Sequence, residues 1–396
     1  MSLSQTPRFG AAFRVVWVFY FLSFVASFAL LPTVPLHLRE LGLGVKASGG
    51  FTAAFMLGSG LGALFTGPLG DRWGQAHVLK LATVAAAACF ACYSALGGAW
   101  SFFLVGIPHG VVWSGFRTAT LAWVGGFLLE EHRADGLAIF GMAAPGGGAL
   151  GPVLGVWMMS HLGFPKMMLL LAALSASLFF VVGRLPAAGA TGRPVHEGYD
   201  HAHPAAGASE LLGWILAPAA VLACLALSYG SIPSYGTQEA RDLGFAWPSA
   251  LVSCYGLGMV LLRLYMGWRG MGRDPMRLMP TMLALNIVAA FGLAVVPGGM
   301  VRHILCGTLY GASFGMAHTL VWTYAMARVA ADRRGSATGA LYFSYDLGIA
   351  VGSFLMGFPM EHLGYRWGWV AAALPLCAAL PAGRKMQSSS QLPADS

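Results

Sequence analysis

Two charged residues, Arg117 and Asp346, stand in the middle of long apolar runs of this sequence. Nearly every other charged side chain can be assigned to a loop or to the end of a run. A guanidinium group can bind two oxygens of a carboxylate or phosphate, and a carboxylate can take up and release a proton. A charge at the centre of a bilayer costs about 2.5–3.5 kcal/mol even on the mildest scale, so both residues are functional-site candidates.

The second half of the chain repeats the first at an offset of 201 residues. At this offset His161-Leu162-Gly163-Phe164 aligns with His362-Leu363-Gly364-Tyr365, and Arg117 falls on His318. The two halves therefore place ionisable groups at equivalent positions. Internal repeats of this kind in an apolar chain are typical of a transport path between two halves.

We expect a cavity with aromatic walls around these groups. His109 lies two helical turns before Arg117, and Trp113 lies between them. In this hypothesis Arg117 anchors an anionic group, while His109 and His318 carry a proton, because histidine titrates near neutral pH. The alternatives are a structural pair or carbonyl contact for Arg117 and neutral interhelical hydrogen bonds for the histidines. Two further residues complete the predicted cavity: Trp322 and Tyr229.

Asp346 has no ionisable counterpart in the first half, where Pro145 holds the equivalent position. Two interpretations remain open for its carboxyl group, namely proton carrier and structural hydrogen-bond partner of a neighbouring helix. The proton-coupling candidates are therefore Asp346, His318 and His109.

The composition indicates which elements position these residues. Hydrophobic residues make up 57% of the 396-residue chain and charged residues 10%, whereas a soluble domain carries about 25% charged residues. The apolar runs are as long as the ~20 residues that a helix needs to cross a bilayer. We predict an all-α polytopic membrane protein with twelve spans: 13–38, 48–69, 77–97, 100–127, 136–159, 166–184, 210–235, 247–268, 277–297, 300–327, 337–358 and 366–383.

Loop charge predicts the orientation, because cytoplasmic loops carry an excess of Lys and Arg. Most of these residues fall on the side of the N-terminus, so both termini are expected at the cytoplasmic side of a cell inner membrane. The predicted domains are a six-helix bundle over 1–184, a cytoplasmic linker over 185–209, a second six-helix bundle over 210–384 and a cytoplasmic tail over 385–396. Histidines in the Pro- and Gly-rich linker could bind a metal, but a solvated loop is the preferred interpretation.

A Gly-rich turn between spans two and three is similar to a cytoplasmic signature of the major facilitator superfamily. The residues that carry this resemblance are Gly67, Asp71, Arg72 and Gly74. The resemblance covers nearly the whole chain and implies two pseudo-symmetric six-helix bundles. It also implies that the carboxylate of this turn holds one conformation through a contact with the start of span eleven. A capped polar turn is the alternative, and Gly272 is the expected counterpart of Gly74 in the second half.

A glycine ridge in span five resembles the antiporter motif of the same family. It consists of Gly147, Gly151, Pro152 and Gly155. Glycines spaced by one turn make a smooth surface for close helix packing, and generic packing is the alternative interpretation. The resemblance is to the bacterial drug or metabolite:proton antiporter branch, and it favours export.

The preferred function is proton-coupled export of a small amphipathic or anionic organic molecule by alternating access. The alternatives are proton-linked uptake, export of a metal-chelating metabolite, and a non-transporting assembly factor or sensor on a transporter scaffold. We expect no catalytic residue, no cofactor, no metal site and no nucleic-acid partner. The expected partners are a small-molecule substrate, protons and the lipid bilayer, with the protein working as a monomer.

Overall fold

The computed structural model describes residues 10–125, 133–184, 208–270, 274–297, 299–329 and 334–390, and within these ranges it contains no β-strand. The linker predicted over 185–209 lies outside the described residues, except for the first residues of a helix. The helices are α1 (Ala11–Glu40), α2 (Val45–Trp73), α3 (Gln75–Ala95), α4 (Ala99–Gly125), α5 (Arg133–Phe140), α6 (Ala143–Leu162), α7 (Phe164–Arg184), α8 (Ala208–Tyr229), α9 (Ser231–Asp242), α10 (Ala250–Arg269), α11 (Met279–Val295), α12 (Gly299–Arg328), α13 (Arg334–His362) and α14 (Tyr365–Ser390).

Eleven spans in the described part of the chain are long and apolar enough to cross a membrane. Two of these spans are made of two helices each, α5 with α6 and α8 with α9. The remaining predicted span corresponds to α14, whose apolar part, 370–382, is short and lies between an aromatic start and a polar end. The prediction of an all-α polytopic membrane protein is confirmed.

The sequence repeat is also a repeat of helix packing. Gly110 of α4 lies against the backbone carbonyl of Phe55 in α2, and Gly311 of α12 lies against the carbonyl of Tyr255 in α10. The two glycines are separated by the repeat offset of 201 residues. A Cβ atom at either position would overlap the backbone of the neighbouring helix. Both crossings therefore need glycine, because only glycine lets the backbones approach so closely.

We expect Gly110→Ala and Gly311→Ala each to destabilise the protein by about 1–3 kcal/mol, the usual cost of overpacking a filled site. A Gly339→Ala variant is the matched control, since Gly339 is also helical and its added Cβ would meet nothing within 4 Å. There the substitution should be neutral or slightly stabilising, because alanine favours the helix. Thermal unfolding of the purified variants in one detergent measures the difference. Equal melting temperatures for all three variants would contradict the close approach of the helix backbones at Gly110 and Gly311.

The halves α1–α7 and α8–α14 meet chiefly through three helix pairs, which are α2 with α13, α6 with α10, and α1 with α9. We call the end where α1 begins and α14 ends the terminal face, and the other end the opposite face. At the opposite face, ion pairs join the two halves: Arg241–Glu40 at 2.9 Å, Arg39–Asp242 at 3.7 Å and Lys46–Glu361 at 3.3 Å. Exposed pairs contribute little individually, but together they show that the halves are in contact at this face.

Candidate functional site

An ion pair between the two halves lies at the centre of the structure. Arg117 of α4 donates two hydrogen bonds to Asp346 of α13, with Nη2–Oδ2 at 2.7 Å and Nη1–Oδ1 at 3.3 Å. Ser59 of α2 donates a third from its hydroxyl group to Oδ2 at 2.8 Å. The Asp346 side chain is 0% exposed and that of Arg117 is 11% exposed. The two residues singled out from the sequence therefore contact each other across the interface between the halves.

An aromatic ring covers the guanidinium group of this pair. The guanidinium carbon of Arg117 lies 4.3 Å from the ring centroid of Tyr342, a cation–π contact of the kind that strengthens when water is excluded. Tyr342 precedes Asp346 by four residues on α13 and therefore shares its helix face. Sequence analysis missed Tyr342, although this spacing could have identified it.

A cavity of about 100 Å³ borders the ion pair. Trp113 and Tyr229, two residues of the predicted cavity, line it together with Tyr345. The cavity is therefore smaller than sites for organic ligands, which usually measure about 300–1,000 Å³. In this conformation the space beside Arg117 is too small for an organic substrate.

His318 and Trp322 lie beside this site and bond to each other. Nε1 of Trp322 donates to Nε2 of His318 at 3.1 Å, so the His318 ring accepts at this nitrogen and is neutral in this arrangement. The His318 ring lies 5.2 Å from that of Tyr345, and the Trp322 ring lies 4.7 Å from that of Tyr342. The pair therefore extends the aromatic wall next to Arg117, and proton transfer by His318 stays a prediction.

His109 lies apart from Arg117, inside the first half of the molecule. Its ring packs against Phe55, Phe90 and Tyr93, and it borders a separate cavity of about 30 Å³. The expectation that His109 and Arg117 line one cavity therefore needs correction. The physical reason is helix geometry, because eight residues at 3.6 per turn exceed two full turns by about 80°. A proton-carrying role for His109 stays a prediction.

The turn of the signature between spans two and three consists of Gly74 alone. Gly74 separates α2 from α3 with φ 83°, a left-handed conformation that favours glycine. Arg72 is exposed, and a Cβ at Gly67 would meet nothing within 4 Å. The Asp71 side chain lies outside the described residues, so its contact with span eleven stays a prediction.

The second half has a matching turn at a different residue from the one expected. Gly270 ends α10 with φ 78°, as Gly74 ends α2. By this criterion Gly270 matches Gly74 in position and backbone conformation. Gly272 itself lies outside the described residues, so its equivalence to Gly74 stays a prediction.

The glycine ridge of α6 lies directly against α1. Added Cβ atoms at Gly147, Gly151 and Gly155 would meet the backbone or Cβ atoms of the α1 segment 24–29. Pro152 of the same motif is buried. In the second half, Gly348 and Gly352 of α13 lie against α8 in the same way. The ridge thus packs two helices closely, while its link to export stays a prediction.

A second buried charge cluster was not predicted. Glu239 of α9 accepts hydrogen bonds from Arg302 at 2.6 Å and from Trp369 at 2.7 Å, and it lies 3.1 Å from Nε2 of His303. Sequence analysis ended span seven at residue 235, whereas α9 continues to Asp242 and buries Glu239. The cluster ties α9 to α12 and α14, within the second half.

The chain belongs to the major facilitator superfamily, whose family model matches residues 16–353. This confirms the predicted family and its fold of twelve transmembrane helices in two six-helix bundles, and the protein is a membrane transporter rather than an enzyme. It is similar to a staphylopine export protein of Staphylococcus aureus, with 20% identity over 91% of this chain and 92% of that protein.

A gallate transporter of Pseudomonas putida is 28% identical over a shorter region, which covers 42% of this chain and 37% of that protein. Among solved structures, a bacterial homolog of the human lysosomal transporter Spinster in an inward-facing, occupied conformation superposes with a TM-score of 0.75. That likeness covers 95% of this chain and 96% of that one at 13% identity, and it concerns the fold.

Proposed function

We propose that this protein couples the movement of protons to the export of a small organic anion by alternating access. The observation that carries the proposal is the buried Arg117–Asp346 ion pair, which joins the two halves. Protonation of Asp346 would remove its charge and weaken this connection. Because a bound ligand shifts a conformational equilibrium by its differential affinity for the states, a proton on Asp346 would favour a conformation in which the halves separate at the ion pair.

The similarity to an export protein over nearly the whole chain supports export. The similarity to a gallate transporter supports an organic anion, since gallate is an aromatic carboxylate. Loop charge supports an inner-membrane location with cytoplasmic termini, and the repeat supports the division into domains at 184 and 210. We further propose that one copy of the chain suffices for transport, because both halves of the site come from the same chain.

Purified protein in liposomes would test this function. Radiolabelled gallate and benzoate are the probes, with a pH gradient imposed across the membrane in either direction. We expect a probe to accumulate in the more acidic compartment, as exchange for protons requires. Accumulation in the more alkaline compartment beyond that in protein-free liposomes, which take up weak acids passively, would indicate proton-linked symport and hence uptake. If the imposed pH gradient moves neither probe, nor any other carboxylate in a panel, the proposed function is wrong and a scaffold role is favoured.

A further inference from the structure

Arg263 of α10 is a charged side chain for which the fold supplies no acidic partner in the described ranges. It lies six residues before the end of α10 and is half-buried. Its Nη1 atom donates to the backbone carbonyl of Gly141, in the turn between α5 and α6. Two other partly buried arginines have acidic partners, since Arg117 pairs with Asp346 and Arg302 with Glu239. The predicted span 247–268 includes Arg263 near its cytoplasmic end, where its charge was expected to be solvated, whereas the structure places it half-buried in α10.

A cavity of about 600 Å³ opens beside Arg263, between α5, the turn that follows it, α10 and α12. Its volume falls in the range of small-molecule sites, about 300–1,000 Å³, and is six times that of the cavity beside Arg117. Methionines from two of these helices and from the turn after α5 form much of the wall: Met142, Met259, Met266 and Met316. Methionine side chains are flexible and polarizable, so they adapt to ligands of different shapes.

The charges decide which ligand this cavity fits. The carboxylate of Asp346 already neutralises Arg117, so the predicted anion anchor is occupied by the protein itself. Arg263 carries a positive charge into largely apolar surroundings, and one backbone carbonyl accepts from only one of its five N–H groups. A carboxylate would supply two acceptor oxygens in the geometry that a guanidinium group binds best. Its apolar body would pack against the methionines.

We infer that this cavity binds an amphipathic organic anion, with its carboxylate on Arg263 and its apolar or aromatic body against the methionine wall. The inference rests on the proposed function and assigns its substrate site to the region between α5, α10 and α12 rather than to Arg117. An anionic lipid offers the same chemistry, since surface-exposed Leu264 lines one edge of the cavity. The test therefore separates a free carboxylate from a lipid headgroup.

The experiment measures binding to the full-length protein in a neutral maltoside detergent by calorimetry. The probes are gallate and its uncharged methyl ester. We expect Arg263→Gln to weaken gallate binding about tenfold or more, as loss of a charge-assisted hydrogen bond predicts, and to leave the ester unaffected. Arg263→Lys should bind gallate with intermediate affinity, because lysine keeps the positive charge but lacks the two parallel N–H donors of a guanidinium group. Arg269→Gln, at the exposed end of the same helix, is the matched control and should bind like the wild type.

The remaining outcomes either identify the ligand as a free carboxylate or a lipid headgroup, or contradict the inference. Vesicles with phosphatidylglycerol could stabilise the wild-type protein but not Arg263→Gln, while phosphatidylcholine and gallate have no effect on either. In that case the cavity is an anionic lipid site. If Arg263→Gln binds gallate and lipid like the wild type, the inference is wrong. Gallate binding that depends on Arg263, without transport in liposomes, would refute the proposed function but not the binding site. Gallate transport that is unchanged in Arg263→Gln would refute the binding site at Arg263 but not the proposed function.

Discussion

The Asp346→Asn variant should bind and exchange substrate but fail to accumulate it against a gradient. Asparagine keeps the shape of the side chain but cannot take up and release the coupling proton. With one proton exchanged per substrate and the membrane potential held at zero, a pH difference of one unit supports about tenfold accumulation, because each factor of ten corresponds to about 1.4 kcal/mol. The variant should instead equilibrate substrate to equal concentrations. Liposomes loaded with unlabelled substrate measure exchange, and liposomes with an imposed pH gradient measure accumulation.

Glu361→Gln is the matched control for this experiment. Glu361 lies on the same helix as Asp346, but it pairs with Lys46 at the opposite face rather than with a residue at the centre. Its neutralisation removes a partly exposed ion pair, which contributes little to stability, so proton-driven accumulation should persist. Accumulation by Asp346→Asn at the wild-type level would eliminate Asp346 as the proton carrier. The remaining candidate carriers would then be His318 and His109.

The sequence identified both members of the central pair but not the pairing. The cost of a charge in a membrane singles out Arg117 and Asp346 individually. Their contact joins residues 229 positions apart, whereas the repeat offset relates Arg117 to His318 and Asp346 to Pro145. A repeat predicts which positions are equivalent and not which positions meet across the interface, so the ion pair could be seen only in the structure.

The repeat does coincide with one contact across the interface. Glu40 and Arg241 are separated by the repeat offset of 201 residues and bond to each other at the opposite face. Two equivalent positions can meet only on the pseudo-twofold axis that relates the halves. The residues differ in charge, so the equivalence is one of position and not of chemistry. An alignment of the two halves therefore could have suggested this pair.

Two charged residues, Glu239 and Arg263, were overlooked because of where they lie in the sequence. Glu239 falls just beyond the predicted span 210–235, and Arg263 falls near the end of the predicted span 247–268, where charges were assigned to loops or span ends. In the structure α9 and α10 include both residues, so their side chains lie within the packed helices. Span limits from composition are uncertain by a few residues, and one further helical turn decides whether a charge is solvated or buried. Charged residues near predicted span ends can therefore be buried.

The Arg117→Met variant should be less stable than the double variant Arg117→Met/Asp346→Leu, although the double variant loses more polar groups. Removal of one partner from a buried ion pair leaves an uncompensated charge and typically costs about 3–5 kcal/mol. Replacing both partners with apolar residues of similar size removes that cost. The stabilities of the two single variants, the double variant and the wild type form a cycle whose coupling free energy should reach about 1–3 kcal/mol. Denaturant unfolding in mixed micelles at neutral pH measures it.

This cycle separates structural pairing from proton coupling. If the double variant is folded and stable yet does not transport, the pair serves transport rather than stability. If the effects of the single substitutions are additive, the hydrogen bonds of 2.7 and 3.3 Å between Arg117 and Asp346 contribute no coupling. Protonation of Asp346 then could not move the halves apart. A positive coupling free energy is therefore necessary for the proposed mechanism, since a proton can drive a conformational change only by breaking an interaction that favours the other state.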